Sequence, residues 1–226
     1  MPLDLVVFDI AGTIVEDHGE VVQALTEALQ HNHIPVDANE LNELKGASKV
    51  EVIRHFARRQ AGNDPDPAFI ERIHHEFRAI ALDLYRTQTR PIAGAAESFA
   101  WLRTHGLRIG LNTGFDAPII QAILESTGWT GDFDAIVGSD QVAQGRPAPY
   151  LIFRAMELTG VTSVHRVMAV GDTPLDLQAA ANAGVAAAVG VLTGMHPRSR
   201  LEREPHAAIV PSVADLPSLI ESGYTG

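Results

Sequence analysis

The sequence predicts an α/β protein: a doubly wound, Rossmann-like parallel-sheet core with an inserted α-helical cap. Three observations predict this architecture. Short apolar runs alternate with amphipathic helices from residue 90 onward, as is typical of parallel sheets. Several of these runs end at glycine or polar residues, as strands do at the ligand-binding edge of such sheets. Between the first apolar run and residue 90, the chain shows only helical patterns.

Six apolar runs are too short for ordinary helices and therefore predict strands. The predicted strands are Leu5–Phe8, Leu107–Leu111, Ala135–Val137, Val167–Val170, Ala186–Val191 and Ala207–Val210. Apolar residues at helical spacing predict the helices between them. The predicted core helices are 94–105, 117–126, 149–159 and 174–183, with Ser212 capping a last one.

The chain after the first strand carries four helical segments and no credible strand. They are 21–30, a short segment capped by Asp37 with Glu40, a segment opened by Ser48 with Glu51, and 68–85. We therefore expect residues 16–88 to form a helical cap. Residues 1–15 and 89–226 are expected to form the catalytic core.

The composition excludes several classes of partner. A formal net charge of −11 argues against nucleic acid, because phosphate backbones are bound by basic surfaces. The chain has no cysteine, so it forms no disulfide and offers no thiolate to a metal. No apolar run reaches about 18 residues, and the amino terminus lacks a signal-peptide pattern. We therefore expect a cytoplasmic protein without a membrane partner, either a monomer or a homodimer.

Polar or glycine residues follow four of the predicted strands. They are Asp9, the run Asn112, Thr113 and Gly114, then Arg146, and finally Asp172 with Asp176. Because the carboxyl ends of parallel strands share one edge of the sheet, we expect these residues to meet in one crevice.

The chemistry of this set suits a substrate that carries a phosphate group. Asp9, Asp172 and Asp176 offer the hard oxygen ligands that Mg²⁺ prefers. Thr113 and the adjoining backbone N–H groups can hold phosphate oxygens, and Arg146 can neutralise them with a bidentate contact. The sequence therefore predicts a small anionic substrate and a magnesium ion.

Three of these residues, taken singly, also have a purely structural interpretation. Asp9 alone is compatible with shaping a turn after a strand. Asp176, with Thr173 and Pro174, is compatible with a simple helix start. Arg146 alone is compatible with a surface arginine before a proline turn. The combination favours the functional interpretation.

The stretches FDIAGT, LNTGF, GRPAP and VGDTPLD resemble the four motifs of the haloacid dehalogenase superfamily, spaced across nearly the whole core. The resemblance implies that Asp9 attacks phosphorus and forms an aspartyl intermediate. It also implies that Asp9, the backbone carbonyl of Ala11 and Asp172 hold Mg²⁺, with Asp176 as a further candidate. The candidate phosphate-binding residues are Ala11, Gly12, Thr13, Asn112, Thr113 and Gly114.

Ala11 departs from the phosphatases of this superfamily, which carry a second aspartate there to protonate the leaving alcohol. Alanine at this place, with GRP in the third motif, resembles the phosphonatase branch, the phosphonoacetaldehyde hydrolases. In that branch a cap lysine forms a Schiff base with the substrate aldehyde, so carbon leaves phosphorus as an enamine. The cap pattern of that branch, a glycine followed three residues later by this lysine, falls on Gly46 and Lys49.

Local physics supports a reactive Lys49, because the predicted Ser48/Glu51 box places it in the first helical turn, where the helix dipole disfavours a cation by about 0.3–1 kcal/mol. A solvated lysine on a cap helix is the alternative. Three positions depart from the branch: Val52 replaces a histidine, Phe115 replaces a tyrosine, and Lys45 replaces a methionine. A lysine at position 45 resembles the sugar-phosphate mutase branch, in which it contacts substrate.

The sequence therefore predicts a Mg²⁺-dependent hydrolase that cleaves the C–P bond of a small phosphonate, most simply phosphonoacetaldehyde, with Lys49 as the imine-forming residue. The alternative is a phosphatase of small phosphate monoesters, of the phosphoglycolate or sugar-phosphate type, in which Lys45 and Lys49 only bind substrate. A catalytically weak binding protein is the remaining alternative.

Overall fold

The computed structural model of the chain describes residues 3–223 and contains one six-stranded sheet. The strands are β1 (Leu5–Phe8), β2 (Arg108–Asn112), β3 (Ala135–Val137), β4 (Val167–Gly171), β5 (Ala187–Val191) and β6 (Ala208–Val210). All neighbouring strands are parallel, in the order β3-β2-β1-β4-β5-β6. The predicted fold class is confirmed.

Four helices lie between β1 and β2, and we call them the helical insertion. They are α1 (Glu20–His31), α2 (Ala38–Glu43), α3 (Lys49–Ala61) and α4 (Pro67–Gln88). Six helices follow, namely α5 (Ala95–Thr104), α6 (Ala117–Thr127), α7 (Tyr150–Thr159), α8 (Pro174–Ala183), α9 (Arg198–Leu201) and α10 (Leu216–Glu221). The cap boundaries at residues 16 and 88 stay a prediction, although the helical insertion lies within them.

Differences from the predicted elements are local. Helix α9 was not predicted, because it is a single turn of four residues in a polar segment without apolar spacing. Ser48 precedes α3, as predicted. Its side chain makes no capping hydrogen bond, so the Ser48 contact of the predicted Ser48/Glu51 capping box is wrong. Asp37 does cap α2, where its carboxylate accepts from the N–H groups of Asn39 and Glu40.

The sheet order places β1 at the topological switch point. Strands β2 and β3 extend from one side of β1, while β4, β5 and β6 extend from the other. In such sheets, the connections diverge on either side of the switch and leave a crevice at the carboxyl ends of the strands. Asp9 enters that crevice directly after β1, and its N–H donates to the Val170 carbonyl at 2.9 Å.

Aromatic residues pack between the sheet and α5. The ring of Phe99 lies 5.5 Å from that of Phe8 and 5.3 Å from those of Trp129 and Phe133, all edge-on. Edge-to-face pairs add to the stabilisation from burial. Within residues 3–223, no helix is long and apolar enough to cross a membrane.

We expect Phe99→Ala to lower the free energy of unfolding by about 3–5 kcal/mol, because it leaves a cavity beside three other aromatic rings. Equilibrium urea denaturation measures this loss. Leu158→Ala is the control, since Leu158 is 45% exposed, and it should change stability by less than about 0.5 kcal/mol. Equal losses in the two variants would contradict the packing described above.

Candidate active site

Arg146 gathers polar groups from three strand ends. Its Nη2 donates to Asp9 Oδ1 at 2.7 Å, to the Asn112 carbonyl at 2.7 Å and to Asn112 Oδ1 at 2.5 Å. Its Nη1 forms an ion pair with Asp176 Oδ1 at 2.6 Å. The Arg146 side chain is only 1% exposed, so it is not a surface arginine. The predicted convergence at one edge of the sheet is therefore present.

Asp176 forms the helix start that its spacing from Thr173 predicts, and it also pairs with Arg146. Its role as a metal ligand stays a prediction. Its Oδ2 accepts from the Thr173 N–H at 3.0 Å and from the Thr173 hydroxyl at 2.6 Å, while the Thr173 hydroxyl caps the Asp176 N–H in turn. Its Oδ1 pairs with Arg146. With both oxygens engaged, Asp176 caps α8 and orients Arg146.

Three carboxylates form a cluster that fits a divalent cation. One oxygen from each of Asp9, Asp172 and Asp176 lies within 4.8 Å of the others, and all three residues are buried. Asp172 Oδ1 accepts from the Thr13 hydroxyl at 3.2 Å, whereas Asp172 Oδ2 is buried without a hydrogen-bond partner among the described residues. An orphaned buried carboxylate oxygen is costly, and a hard cation such as Mg²⁺ satisfies it.

The pKa values of the clustered carboxylates also favour a bound divalent cation. Burial raises the pKa of Asp9 to about 6, even though Arg146 opposes the shift. Burial also raises the pKa of Asp172 well above its ordinary value, and the neighbouring Asp9 and Asp176 carboxylates add to that effect. A bound divalent cation would stabilise the ionised forms of these carboxylates.

The predicted phosphate-binding residues divide into two groups. Ala11, Thr113 and Gly114 line the cavity beside Asp9. Gly12, Thr13 and Asn112 do not line it: Asn112 holds Arg146, and Thr13 holds Asp172.

Three of the predicted phosphate-binding residues have backbone N–H groups that already donate within the protein. Those of Gly12, Thr13 and Thr113 donate to the carbonyls of Val15, Ile10 and Val137, respectively. The Phe115 N–H donates to Thr113 Oγ1 at 3.3 Å. For these groups, direct phosphate binding would require the substrate to displace existing hydrogen bonds.

The cavity over Asp9 is closed by the helical insertion. Its walls bring together residues of the sheet edge, of the β1–α1 connection and of the segment between α2 and α3. They are Asp9, Ala11, Asp17, Val21, Lys45, Gly46, Lys49, Thr113, Gly114, Phe115, Asp172 and Thr173. The cavity volume is about 30 Å³, room for about one water, so this is a closed arrangement.

Lys49 begins α3, as predicted, and it is 5% exposed. Its Nζ donates to the Ala47 carbonyl at 3.0 Å and lies 5.0 Å from the centre of the Phe115 ring. Burial lowers the pKa of Lys49 to about 8. The charged groups that face it are Asp9 and Asp17, which raise its pKa, and Arg146 and Lys45, which lower it.

Lys45 shares the cavity but has different surroundings. Its Nζ donates to Asp17 Oδ2, and the two side chains are 6% and 3% exposed. Asp17 Oδ1 accepts from the Gly19 N–H at 2.9 Å, which fixes the turn before α1. Sequence reasoning missed Asp17, because it lies in the run EDHGE and resembles an ordinary polar connector.

The segment between α2 and α3 lies directly on the turn that follows β2. A Cβ added to Gly114 would overlap the Ala47 carbonyl oxygen and lie 2.9 Å from the Gly46 carbonyl oxygen. Gly46 has φ +88°, and a Cβ there would lie 2.7 Å from the Thr173 hydroxyl. Both glycines therefore permit the approach that places Lys49 near Asp9.

A family model for haloacid dehalogenase-like hydrolases matches residues 3–184. The chain belongs to this family. It is 31% identical to a phosphonoacetaldehyde hydrolase from Bacillus cereus over 209 residues, which cover 86% of this chain and 77% of that enzyme.

Two solved structures share the fold of this chain. A hydrolase from Pseudomonas syringae superposes with a TM-score of 0.87 at 23% identity, covering 97% of this chain and 98% of the other. A phosphonoacetaldehyde hydrolase-like protein from Oleispira antarctica gives 0.86 at 23% identity, covering 99% and 93%. The chain is thus a haloacid dehalogenase-like hydrolase.

We expect Gly114→Ala to expose Lys49, because the added methyl group pushes the Ala47 carbonyl away from the core. Acetylation by acetic anhydride, followed by peptide mass spectrometry, measures this directly, since the chain has only two lysines. Acetylation of Lys49 should become at least about 10-fold faster, a factor that corresponds to about 1.4 kcal/mol in the closing equilibrium.

Gly110→Ala is the matched control, because a Cβ at Gly110 meets its neighbours at an ordinary 3.6 Å. Lys49 should stay protected in that variant. Unchanged protection of Lys49 in Gly114→Ala would show that this contact does not hold the insertion closed.

Proposed function

We propose that the protein is a Mg²⁺-dependent phosphonatase that cleaves the C–P bond of a small aldehyde phosphonate such as phosphonoacetaldehyde. The observation that carries the proposal is the burial of the Lys49 amine in the same closed cavity as Asp9. In this proposal the helical insertion is the cap, and residues 1–15 and 89–226 are the core.

Asp9 is the nucleophile toward phosphorus in the proposed reaction. A carboxylate that attacks an anionic phosphoryl group needs positive charge nearby to offset repulsion. Arg146, in contact with Asp9 Oδ1, supplies part of that charge. Asp9, Asp172 and the Ala11 carbonyl are the proposed ligands of Mg²⁺, which neutralises phosphoryl oxygens when bound. Water then hydrolyses the aspartyl intermediate.

Lys49 supplies the electron sink on the organic side of the substrate. Its neutral amine adds to the aldehyde carbon, and loss of water gives a protonated imine. When the C–P bond breaks, the electron pair moves into this imine and forms an enamine, so no acid is needed where Ala11 stands. The pKa of about 8 leaves a useful neutral fraction of Lys49 near neutral pH.

A second candidate is a phosphatase of small phosphate monoesters. The observation that favours it is the ammonium group of Lys45, which lines the cavity and is a proton donor for a leaving alcohol. In that case Lys49 only binds substrate. The similarity to phosphonoacetaldehyde hydrolase and the burial of Lys49 favour the phosphonatase.

We expect phosphonoacetaldehyde plus borohydride to give a reduced adduct on Lys49 and to inactivate the enzyme. Lys49→Ala and Lys49→Arg should both lose C–P cleavage by about 100-fold or more, because neither forms an imine at neutral pH. The adduct rate should rise with pH and level off above about 8, since the reacting form is the neutral amine.

Mass spectrometry of the trapped peptide and an assay for released acetaldehyde measure these outcomes. Asp9→Asn is the matched variant: it should lose C–P cleavage but keep the adduct. Substantial C–P cleavage by Lys49→Arg would refute the imine mechanism. Hydrolysis of simple phosphate esters by Lys49→Ala at the wild-type rate, without any adduct in the wild type, would establish the phosphatase instead.

A further inference from the structure

The two lysines of the chain line one cavity in opposite electrostatic settings. Lys49 contacts a carbonyl and an aromatic face, and burial lowers its pKa. Lys45 instead pairs with the Asp17 carboxylate. An amine in an apolar setting can serve as a nucleophile, whereas an ammonium in an ion pair can serve as an acid.

The Lys45–Asp17 pair is costly to bury. Both side chains are nearly fully buried, at 6% and 3% exposed, and removing two charges from water carries a desolvation penalty. Apolar pairs of similar volume are often as stable in proteins as a buried ion pair. Buried ionisable groups that face a reactive cavity are characteristic of functional sites.

Imine formation in the proposed reaction needs a proton donor. When an amine adds to an aldehyde, the resulting carbinolamine loses its hydroxyl as water only after that hydroxyl is protonated. Ala11 has no acidic group, and Asp9 and Asp172 are committed to phosphorus and to the cation. Arg146 does not release its proton in proteins. Among the titratable groups that line the cavity, this leaves the Lys45–Asp17 pair.

We propose that Lys45, ion-paired with Asp17, donates the proton to the oxygen of the substrate's aldehyde group during imine formation. This inference rests on the proposed phosphonatase function. The Lys49 nitrogen forms a bond to the aldehyde carbon, and the C–O bond then breaks. Lys45 gives one proton to the departing hydroxyl, so one water leaves and a protonated imine remains. After C–P cleavage the enamine takes a proton at carbon, supplied by the water that hydrolyses the aspartyl intermediate. Hydrolysis of the resulting imine then releases acetaldehyde and returns a proton to Lys45.

The test is the time course of borohydride trapping on Lys49 with phosphonoacetaldehyde, for Lys45→Arg, Lys45→Met and Asp17→Asn. Lys45→Arg keeps the charge and the Asp17 contact but does not donate a proton, so we expect trapping about 100-fold slower than in the wild type. Lys45→Met should be equally slow. Asp17→Asn keeps the amine and should remain closer to the wild type than either Lys45 variant.

The arginine variant separates proton donation from a role in charge or packing. If Lys45→Arg traps at the wild-type rate while Lys45→Met does not, Lys45 acts only through its charge and the inference is overturned. Wild-type rates in both variants overturn it as well. The thermal unfolding midpoint and inorganic phosphate binding, measured on each variant, identify any that fail to fold.

A second arm distinguishes failure of this inference from failure of the phosphonatase proposal. If the wild type forms no adduct, the phosphonatase proposal fails, and Lys45→Arg is assayed on 4-nitrophenyl phosphate and on an alkyl phosphate. A selective loss on the alkyl ester, whose leaving group needs a proton, would assign Lys45 the acid role of the phosphatase alternative and overturn its role in imine formation. Equal losses on both esters, or a wild type that cleaves neither, overturn the donor role.

Discussion

Three buried carboxylates with one buried arginine are the constraint on which the candidate site depends. Asp9, Asp172 and Asp176 lie together at the carboxyl edge of the sheet, and Arg146 contacts two of them. Removing this charge from water is costly, so the cluster persists only with good geometry and compensating charge. The sheet order supplies the geometry, because β1 lies beside both β2 and β4. A bound divalent cation, as we propose, would balance the remaining negative charge of the carboxylates. Such a cation also supplies the positive charge that phosphoryl transfer requires.

The sequence was sufficient for the parts that depend on short-range patterns. Short apolar runs predicted the six strands found within residues 3–223. Apolar spacing and capping residues predicted nine of the ten α-helices found there. Polar residues at strand ends predicted where the candidate site lies, because the carboxyl ends of parallel strands share one edge of the sheet. Asp176 illustrates a limit of the same reasoning. Its spacing from Thr173 fits a helix cap and its chemistry fits a metal ligand, and only coordinates show both of its oxygens engaged.

Contacts between the helical insertion and the core could not be predicted, because they depend on how distant segments dock. The Lys45–Asp17 pair joins residues 28 apart, one in an apparent linker. The close approach of Ala47 to Gly114 follows from the same docking. Lys49 was a candidate from the family resemblance and from its place at the start of a helix. Its burial, which lowers the pKa of the amine, follows from the docking of the helical insertion. Sequence patterns therefore predicted the carboxyl edge of the sheet better than the helical insertion that covers it.

The central claim is that Asp9 and Asp172 hold a divalent cation against the phosphoryl group. Thermal unfolding in Mg²⁺, against Na⁺ at equal ionic strength, tests it without any substrate. At about 100 times the dissociation constant, Mg²⁺ should stabilise the wild type by about 2.7 kcal/mol and raise its midpoint by about 5–10 °C. Asp172→Asn should lose this response. An unchanged unfolding midpoint of the wild type in Mg²⁺, or an equal rise of the midpoint in Asp172→Asn, would contradict a cation site at Asp9 and Asp172.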